Sequence, residues 1–428
     1  MTAIAPVRLA GDPALPYRDV LLDPPTMRGL LASALGIHSV DIGEPAIARA
    51  NYQVAKSLRT VYRVTIYGDE HTIAARMFAG DKSAEAYRRS ATEAKDVAGI
   101  RGIAHDVAIG AVYWVFPNDR KIASLPAVLD SATTVPGVKR GEPVRKRLVA
   151  YAPEKSATLV CEDGVATAVA YAKVAAAHQA ARDYDTYRGL RAALDPLNPW
   201  LCLPAPLGYS PAQRTLWLEA LPGRRLAEAR GDDEIGDLRQ LGAAVAAFHG
   251  LAVPNAPRFD RFSGEQIAKD AATMRLGRPD AADAIEHLEA RLVATAAAAD
   301  GEACVHGDLH PKNAIVCSGR VALIDVEDFA VGTTAADIAS LLAGLLYRRE
   351  TGELSRAECR LRADAFLVGY RAHRALPRRE SLAWHTAAAL FIERAARAVT
   401  RMRPLGLEHF PSLLAASERL LDRGLEVV

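Results

Sequence analysis

Asp308, Asn313 and Asp325 are the residues whose types and spacing could do chemistry. They stand in the stretch from Val305 to Asp337, V-H-G-D-L-H-P-K-N-A-I-V-C-S-G-R-V-A-L-I-D-V-E-D-F-A-V-G-T-T-A-A-D. A short apolar strand, Ala314 to Cys317, follows the amide. A turn at Ser318-Gly319-Arg320 and a second strand, Val321 to Ile324, then lead into Asp325. Pairing those strands brings their far ends together, so the two acids and the amide should converge. Two carboxylates and an amide oxygen can hold hard divalent cations and orient a hydroxyl, the requirements of in-line phosphoryl transfer. Two other readings stay open. His306, Asp308 and His310 spell H-x-D-x-H, a transition-metal pattern that would suit a metal-dependent hydrolase, although the further histidine of such sites is missing. Asp337 alone also reads as a helix N-cap before Ile338.

The stretch resembles the aminoglycoside phosphotransferase and choline kinase-like family, which carries a similar H-G-D-x-x-x-x-N loop followed by an I-D acid. The resemblance implies that Asp308 is the catalytic carboxylate beside the acceptor hydroxyl. It implies that Asn313 and Asp325 ligate Mg²⁺ bridging the ATP phosphates, and that Asp337 braces the catalytic loop. His306 then fixes loop backbone and His310 supports from behind. Glu327 and Asp328 stand where protein kinases have Phe-Gly.

Composition bounds the alternatives. The 428 residues suffice for two or three domains. Half are hydrophobic, 24% are charged and the net charge is +2, which gives no argument for nucleic acid or an anionic membrane as partner. The five cysteines form no C-x-x-C pair, so neither a disulfide framework nor a zinc site is expected. The first twelve residues lack a signal-peptide pattern, and no apolar run approaches the ~18 residues of a membrane span. A soluble cytoplasmic protein is the expectation.

The elements that must position the acids follow in order. Residues 1–25 read as an extended lead-in, and 28–35 as a short helix. Strands are expected around 61–66, 71–78 and 107–116, with a helix over 84–97. Residues 120–143, rich in Pro and Gly, read as a linker. The β pattern returns at 147–151, 157–161 and 166–174. Tyr52-x-x-x-Lys56-Ser57 recurs there as Tyr151-x-x-x-Lys155-Ser156, a short match compatible with an internal duplication or with chance. By the resemblance, Lys173 late in the third strand contacts the phosphates, Arg76 being the alternative, and Ser156 lies in the turn above them. The usual Glu partner is missing from the next helix, 175–194, whose acids are Asp183 and Asp185. Asp183 is taken as the partner. After a turn-rich passage, T-L-W-L-E-A-L at 215–221 resembles the family's lobe-connecting strand, whose backbone near Glu219 and Leu221 would meet adenine. Helices follow at 235–249, 281–298, 337–346, 356–372, 381–401 and 412–421. Tyr370, Trp384, Phe391 and Glu393 read as acceptor-pocket or core positions.

The expected fold is α+β: a protein-kinase-like pair of lobes with an added N-terminal α/β region. The boundaries are 1–143 for the extension, 144–222 for the nucleotide lobe and 223–428 for the helical catalytic lobe. This layout is similar to that of bacterial maltokinases and glucosamine kinases. The expected function is ATP- and Mg-dependent O-phosphorylation of a small hydroxylated acceptor, a sugar, amino sugar or aminoglycoside. A catalytically silent kinase-like module binding a nucleotide or a partner is the alternative.

Overall fold

The computed structural model describes residues 9–139, 142–296 and 300–427. The first eight residues of the lead-in, the end of the linker and the end of the helix expected over 281–298 lie outside them. Alternating buried side chains make the first half of the chain sheet-forming. After α1 (Pro24–Leu35), β1 (Ala46–Gln53), β2 (Ser57–Ile66) and β3 (Asp69–Phe78) run antiparallel. α2 (Lys82–Ala91) then leads to β4 (Ile103–Asp106) and β5 (Ala111–Val115), giving the order β1-β2-β3-β5-β4. The single strand expected over 107–116 is thus a hairpin. Asp106 accepts from the amides of Ala108 (3.1 Å) and Ile109 (3.3 Å), and Gly110 takes φ +65°, so the chain turns there.

The linker holds a short helix, α3 (Leu125–Leu129). Beyond it come β6 (Arg145–Ala152), β7 (Ser156–Glu162), β8 (Ala168–Ala175), α4 (Gln179–Ala193), β9 (Leu201–Cys202), β10 (Pro206–Ser210) and β11 (Thr215–Glu219). The second sheet has the order β10-β11-β8-β7-β6. Read from β6, this is the strand order of the first sheet, again with a helix between the third strand and the closing hairpin. Ser57 pairs with Phe78 and Ser156 with Ala175, so Arg76 and Lys173 occupy equivalent positions two residues before those partners.

The two cations nevertheless face different surroundings. Val61, Ala74 and Phe78 of the first sheet form one apolar cluster with Leu159, Ala172, Val174 and Trp217 of the second. Strand alternation puts Arg76 on the side of Ala74 and Phe78, against the second sheet. Lys173 lies on the opposite side from Ala172 and Val174, toward the helical lobe. Each fully buried Leu or Val in such an interface contributes roughly 1.5–3 kcal/mol. At its polar edge Arg76 clasps Glu154 in the β6–β7 turn, joined by Arg120 at 2.7 Å and Arg59 at 3.6 Å. The Glu154 amide and the Tyr151 hydroxyl both donate to Asp119, at 2.8 and 2.7 Å. Arg76 is therefore committed to holding a turn.

The helical lobe starts with β12 (Arg224–Arg225) and α5 (Gly231–His249), α6 (Gly264–Gly277) and α7 (Ala282–Ala294). β13 (Glu302–Val305), β14 (Ala314–Cys317), β15 (Arg320–Leu323) and β16 (Ala330–Thr333) carry the acids. α8 (Thr334–Glu350), α9 (Arg356–Arg371), α10 (Arg379–Ala389), α11 (Arg397–Thr400), α12 (Pro404–Glu408) and α13 (Phe410–Arg423) complete it. α6 was not expected from the sequence, although Ser263 caps it and Ile267, Ala271 and Met274 line its buried side at helical spacing. The helix expected over 381–401 is interrupted between α10 and α11 by a π-helical segment, Leu390–Ala396. The turn-rich passage before β10 contains β9, which pairs in parallel with β15 in the catalytic sheet β12-β14-β15-β9. A two-residue strand is too short to show a period.

Glu154 is buried, and burial alone would raise its pKa. The hydrogen bond from Arg120 and the charges of Arg76, Arg120 and Arg59 outweigh that and lower it. Its stabilisation is therefore complete above the unfolded glutamate pKa and lost as pH falls through the lower folded value. Glu154→Ala leaves three guanidiniums without their carboxylate and should cost about 3–5 kcal/mol. Urea unfolding at pH 7 checks it, and an unchanged midpoint would dismiss the clasp.

Candidate active site

The catalytic hairpin forms as its sequence demands. Ala314 pairs with Leu323, and the Ile324 amide donates to the Asn313 carbonyl at 3.0 Å, so Asn313 and Asp325 meet at the open end. The turn is tighter than the expected three residues. Arg320 already pairs with Cys317, and Ser318 and Gly319 alone turn the chain at φ +47° and +79°. Two left-handed residues match the twist of a hairpin.

The catalytic loop hangs on Asp337. Its carboxylate accepts from the amides of His306 (2.6 Å) and Gly307 (3.0 Å), and from His249 Nε2 at 3.1 Å. His249 Nδ1 in turn accepts from the Tyr370 hydroxyl at 2.9 Å. Burial would raise the Asp337 pKa, but the His249 hydrogen bond leads the contacts that lower it. Asp337 is not the N-cap of its helix, as it could have been read. Thr333 fills that place, its hydroxyl accepting from the Ala335 amide, and Asp337 stands in the first turn. Gly307 has φ +80°, and a Cβ there would lie 2.2 Å from the Asp328 carbonyl oxygen, so only glycine allows the loop this close.

His306 is fully buried. Its Nε2 donates to the Ile324 carbonyl (2.9 Å) while Nδ1 accepts from the Asp308 amide (3.3 Å), which ties the loop to the end of β15. With both ring nitrogens engaged, His306 cannot ligate a metal. The His306–Asp308–His310 cluster is thereby set aside, and among the described residues no group of three His, Cys, Asp or Glu is placed to hold an ion.

Asp308 opens onto a cleft. His310 Nε2 lies 3.4 Å from it, Arg261 3.3 Å and Arg397 3.8 Å. Burial would raise its pKa, but His310, then Arg261 and Arg397, overcome that and hold the carboxyl well below the usual carboxylate range. It is ionised at neutral pH. The Asn313 side-chain nitrogen donates to the Asp308 carbonyl at 3.1 Å, which leaves the side-chain oxygen of Asn313 as the atom available to a hard cation. Asp325 sits in the left-handed region at φ +60° and ψ +48°, opposite Lys173.

Lys173 does not pair with Asp183, as the sequence reading had it. The ammonium hydrogen-bonds Asp325 and Glu327. Asp183 is held by Gln179 (2.7 Å) and is pushed up to about 7, first by burial and then by the charge of Glu327. An Asp is one methylene shorter than the Glu its place calls for, and Glu327 reaches the lysine from the other lobe. Ser156 begins β7 beside the clasped turn. Glu219 ends β11 with its amide donating to the Ala205 carbonyl at 2.9 Å, and Leu221 lies in the connector that follows. In that connector Gly223 has φ +142°, and a Cβ would meet the Val316 carbonyl oxygen at 2.3 Å, which packs the crossing directly on β14.

Arg261, Arg397 and Arg401 escaped the sequence reading. Arg261 comes from an irregular loop with no local signal. It joins Asp308 to Glu393, which it meets at 2.6 Å. Arg397 and Arg401 could have been found, since their i, i+4 spacing puts both on one side of a helix. Tyr370, Trp384, Phe391 and Glu393 are buried and take core or supporting places. Asp337→Asn should leave buried donors unsatisfied, cost about 1–3 kcal/mol and reduce turnover. Unfolding and rate measurements on the same preparation check both, and a fully active, equally stable variant would contradict the bracing role.

Residues 166–376 match the profile of the phosphotransferase enzyme family, leaving the first sheet outside. Among solved structures the chain is similar to an amicoumacin kinase at 17% identity, covering 70% of this chain and 92% of that one with a TM-score of 0.46. A choline/ethanolamine kinase family protein from Mesorhizobium loti is similar at 14% identity over 71% and 92%, TM-score 0.43. An aminoglycoside-3'-phosphotransferase of type VIII is similar at 22% identity over 58% and 93%, TM-score 0.41. No curated protein matches the sequence.

Proposed function

We propose that this chain, a phosphotransferase of that family over residues 166–376, transfers the γ-phosphoryl group of Mg-ATP to a hydroxyl of a small sugar-like acceptor. The sequence reading included amino sugars and aminoglycosides among the acceptors. The observation that carries the reading is the convergence of an ionised Asp308 with Asn313, Asp325 and Lys173 at one end of a hairpin.

Asn313 and Asp325 would hold Mg²⁺, which supplies positive charge against that building on the phosphates. Lys173 would leave part of its pairing with Asp325 and Glu327 to bind the phosphates. The clasped β6–β7 turn with Ser156 would cover them, and the backbone from Glu219 to Leu221 would border adenine. Asp308 orients the acceptor hydroxyl and takes its proton. A depressed pKa suits this order of events, because a loose transition state needs orientation early and proton acceptance only late. His306 and Asp337 hold the loop without touching the reactants.

The same reading assigns 1–143 as a second, inactive copy of the nucleotide lobe, 144–222 as the active one and 223–428 as the catalytic lobe. Its support is the shared strand order and the equivalence of Arg76 with Lys173. A cytoplasmic setting with ATP at hand fits it, and among the described residues no helix is long and apolar enough to cross a membrane. A silent binding module has no use for a catalytic acid held ionised beside two cation ligands.

Asp308→Asn is the test. Turnover, followed as ADP release, should fall about 10²–10⁴-fold, while Mg-ATP affinity stays within a factor of a few. A variant as active as the wild type would remove Asp308 from the chemistry. Loss of nucleotide binding with it would mean that the change damaged the lobe.

A further inference from the structure

Resting on the kinase reading above, we propose that the acceptor is an anion: a small hydroxylated molecule carrying a phosphate or carboxylate close to the hydroxyl that is phosphorylated. Asp308 opens onto a cleft of ≈ 1760 Å³ built from three parts of the chain: the β1 side of the first sheet, edge strand β6, and the helical lobe around α11 and α12. Eight Lys and Arg line it against four Asp and Glu. One of the four is Asp308 itself. Of the others, Asp19 pairs with Arg18 and Asp23 caps α1.

The cations crowd near the catalytic acid. Arg397 lies 3.8 Å from Asp308, and Arg401 follows one helical turn later. Arg49 arrives from β1 and Arg403 from the segment before α12. Among the described residues, Arg49, Arg401 and Arg403 form no ion pair, and the buried Nη1 of Arg401 has no hydrogen-bond partner. Burial and then the neighbouring Arg49, Arg397 and Arg403 push Arg401 down to about 10, and burial and then Arg403 lower Arg49. Unpaired guanidiniums packed this closely repel one another, and a bound oxyanion relieves the repulsion. Their planar forks match phosphate and carboxylate oxygens in pairs. A polycationic acceptor such as an aminoglycoside would instead add charge of the wrong sign.

The cluster also gives the first sheet a task at the site, since Arg49 belongs to it. In the transfer, the acceptor hydroxyl oxygen bonds to the γ-phosphorus. The bond from that phosphorus to the β–γ bridging oxygen breaks, with its electron pair leaving on ADP. The hydroxyl proton passes to Asp308. The arginines hold the second, anionic group and take no part in these bond changes.

The test is ADP release from Mg-ATP with a panel matched in shape and differing in charge: glucose, glucosamine, kanamycin, gluconate and glucose 6-phosphate. Calorimetric binding of each to the full-length protein with Mg-ADP accompanies it. The anionic members should bind or react at least about tenfold better than glucose, a 1.4 kcal/mol preference, with gluconate and glucose 6-phosphate distinguishing carboxylate from phosphate. Arg401→Gln and Arg49→Gln should each raise KM for the anionic acceptor about tenfold or more and leave KM for ATP unchanged, with Arg401→Lys partly restoring it. Preference for glucose, glucosamine or kanamycin would overturn the proposal and leave the kinase intact. So would the absence of any anion binding while Mg-ATP binds, or variants with wild-type KM. Failure to bind Mg-ATP at all would overturn the kinase reading and this proposal with it.

Discussion

A buried carboxylate with three donors sets the geometry of the catalytic loop. Asp337 accepts from two successive backbone amides and from His249, and it does so from the first turn of a helix whose N-terminus favours negative charge. Two adjacent amides pointing at one carboxylate leave the loop almost no freedom. Asp308 is the next residue, so its place follows from a charge buried behind the loop. His306 extends the same constraint to the end of the hairpin through Ile324. The loop and the open end of the hairpin are thereby referred to a common frame, and Arg261, fixed by Glu393, sets the carboxylate from the other side.

The two sheets show how one architecture can serve two ends. They share strand order and register, and the equivalent cations differ in what they hold. Lys173 faces acids that belong to the catalytic lobe. Arg76 faces Glu154, which belongs to the other sheet. The sheets are stacked head to tail, so the side that bears the cation in the first is covered by the reverse side of the second. The space in front of that side is filled by apolar side chains such as Leu159 and Trp217.

Much of this was legible in the chain. The hairpin from Ala314 to Leu323 could be read because short-range chemistry fixes it: two short apolar runs, a glycine turn between them, and an acid before and after. The brace at Asp337 and the two-lobe plan came through the resemblance carried by those same residues. The likeness of the two sheets was faint in the chain because strand order is set by long-range pairing, and Tyr-x-x-x-Lys-Ser is the one short match between them. The partner of Lys173 was misplaced for the same reason. Glu327 is 154 residues away in sequence, and nothing near Lys173 announces it. Arg261 was invisible because an irregular loop carries no period, whereas the arginines at 397 and 401 had one that only the cleft makes meaningful.

The short strand β9 has a mechanical consequence. The catalytic sheet has β12 at one edge and β9 at the other, and the chain passes between lobes beside each of them. On the β12 side Gly223 lies against β14. Two attachments on opposite edges define an axis across the sheet. Rotation about that axis keeps every strand pairing, while twisting or sliding one lobe over the other would tear β9 or β12 from its neighbour. The lobes are thus joined like a door hung on two knuckles, one on each edge of the sheet.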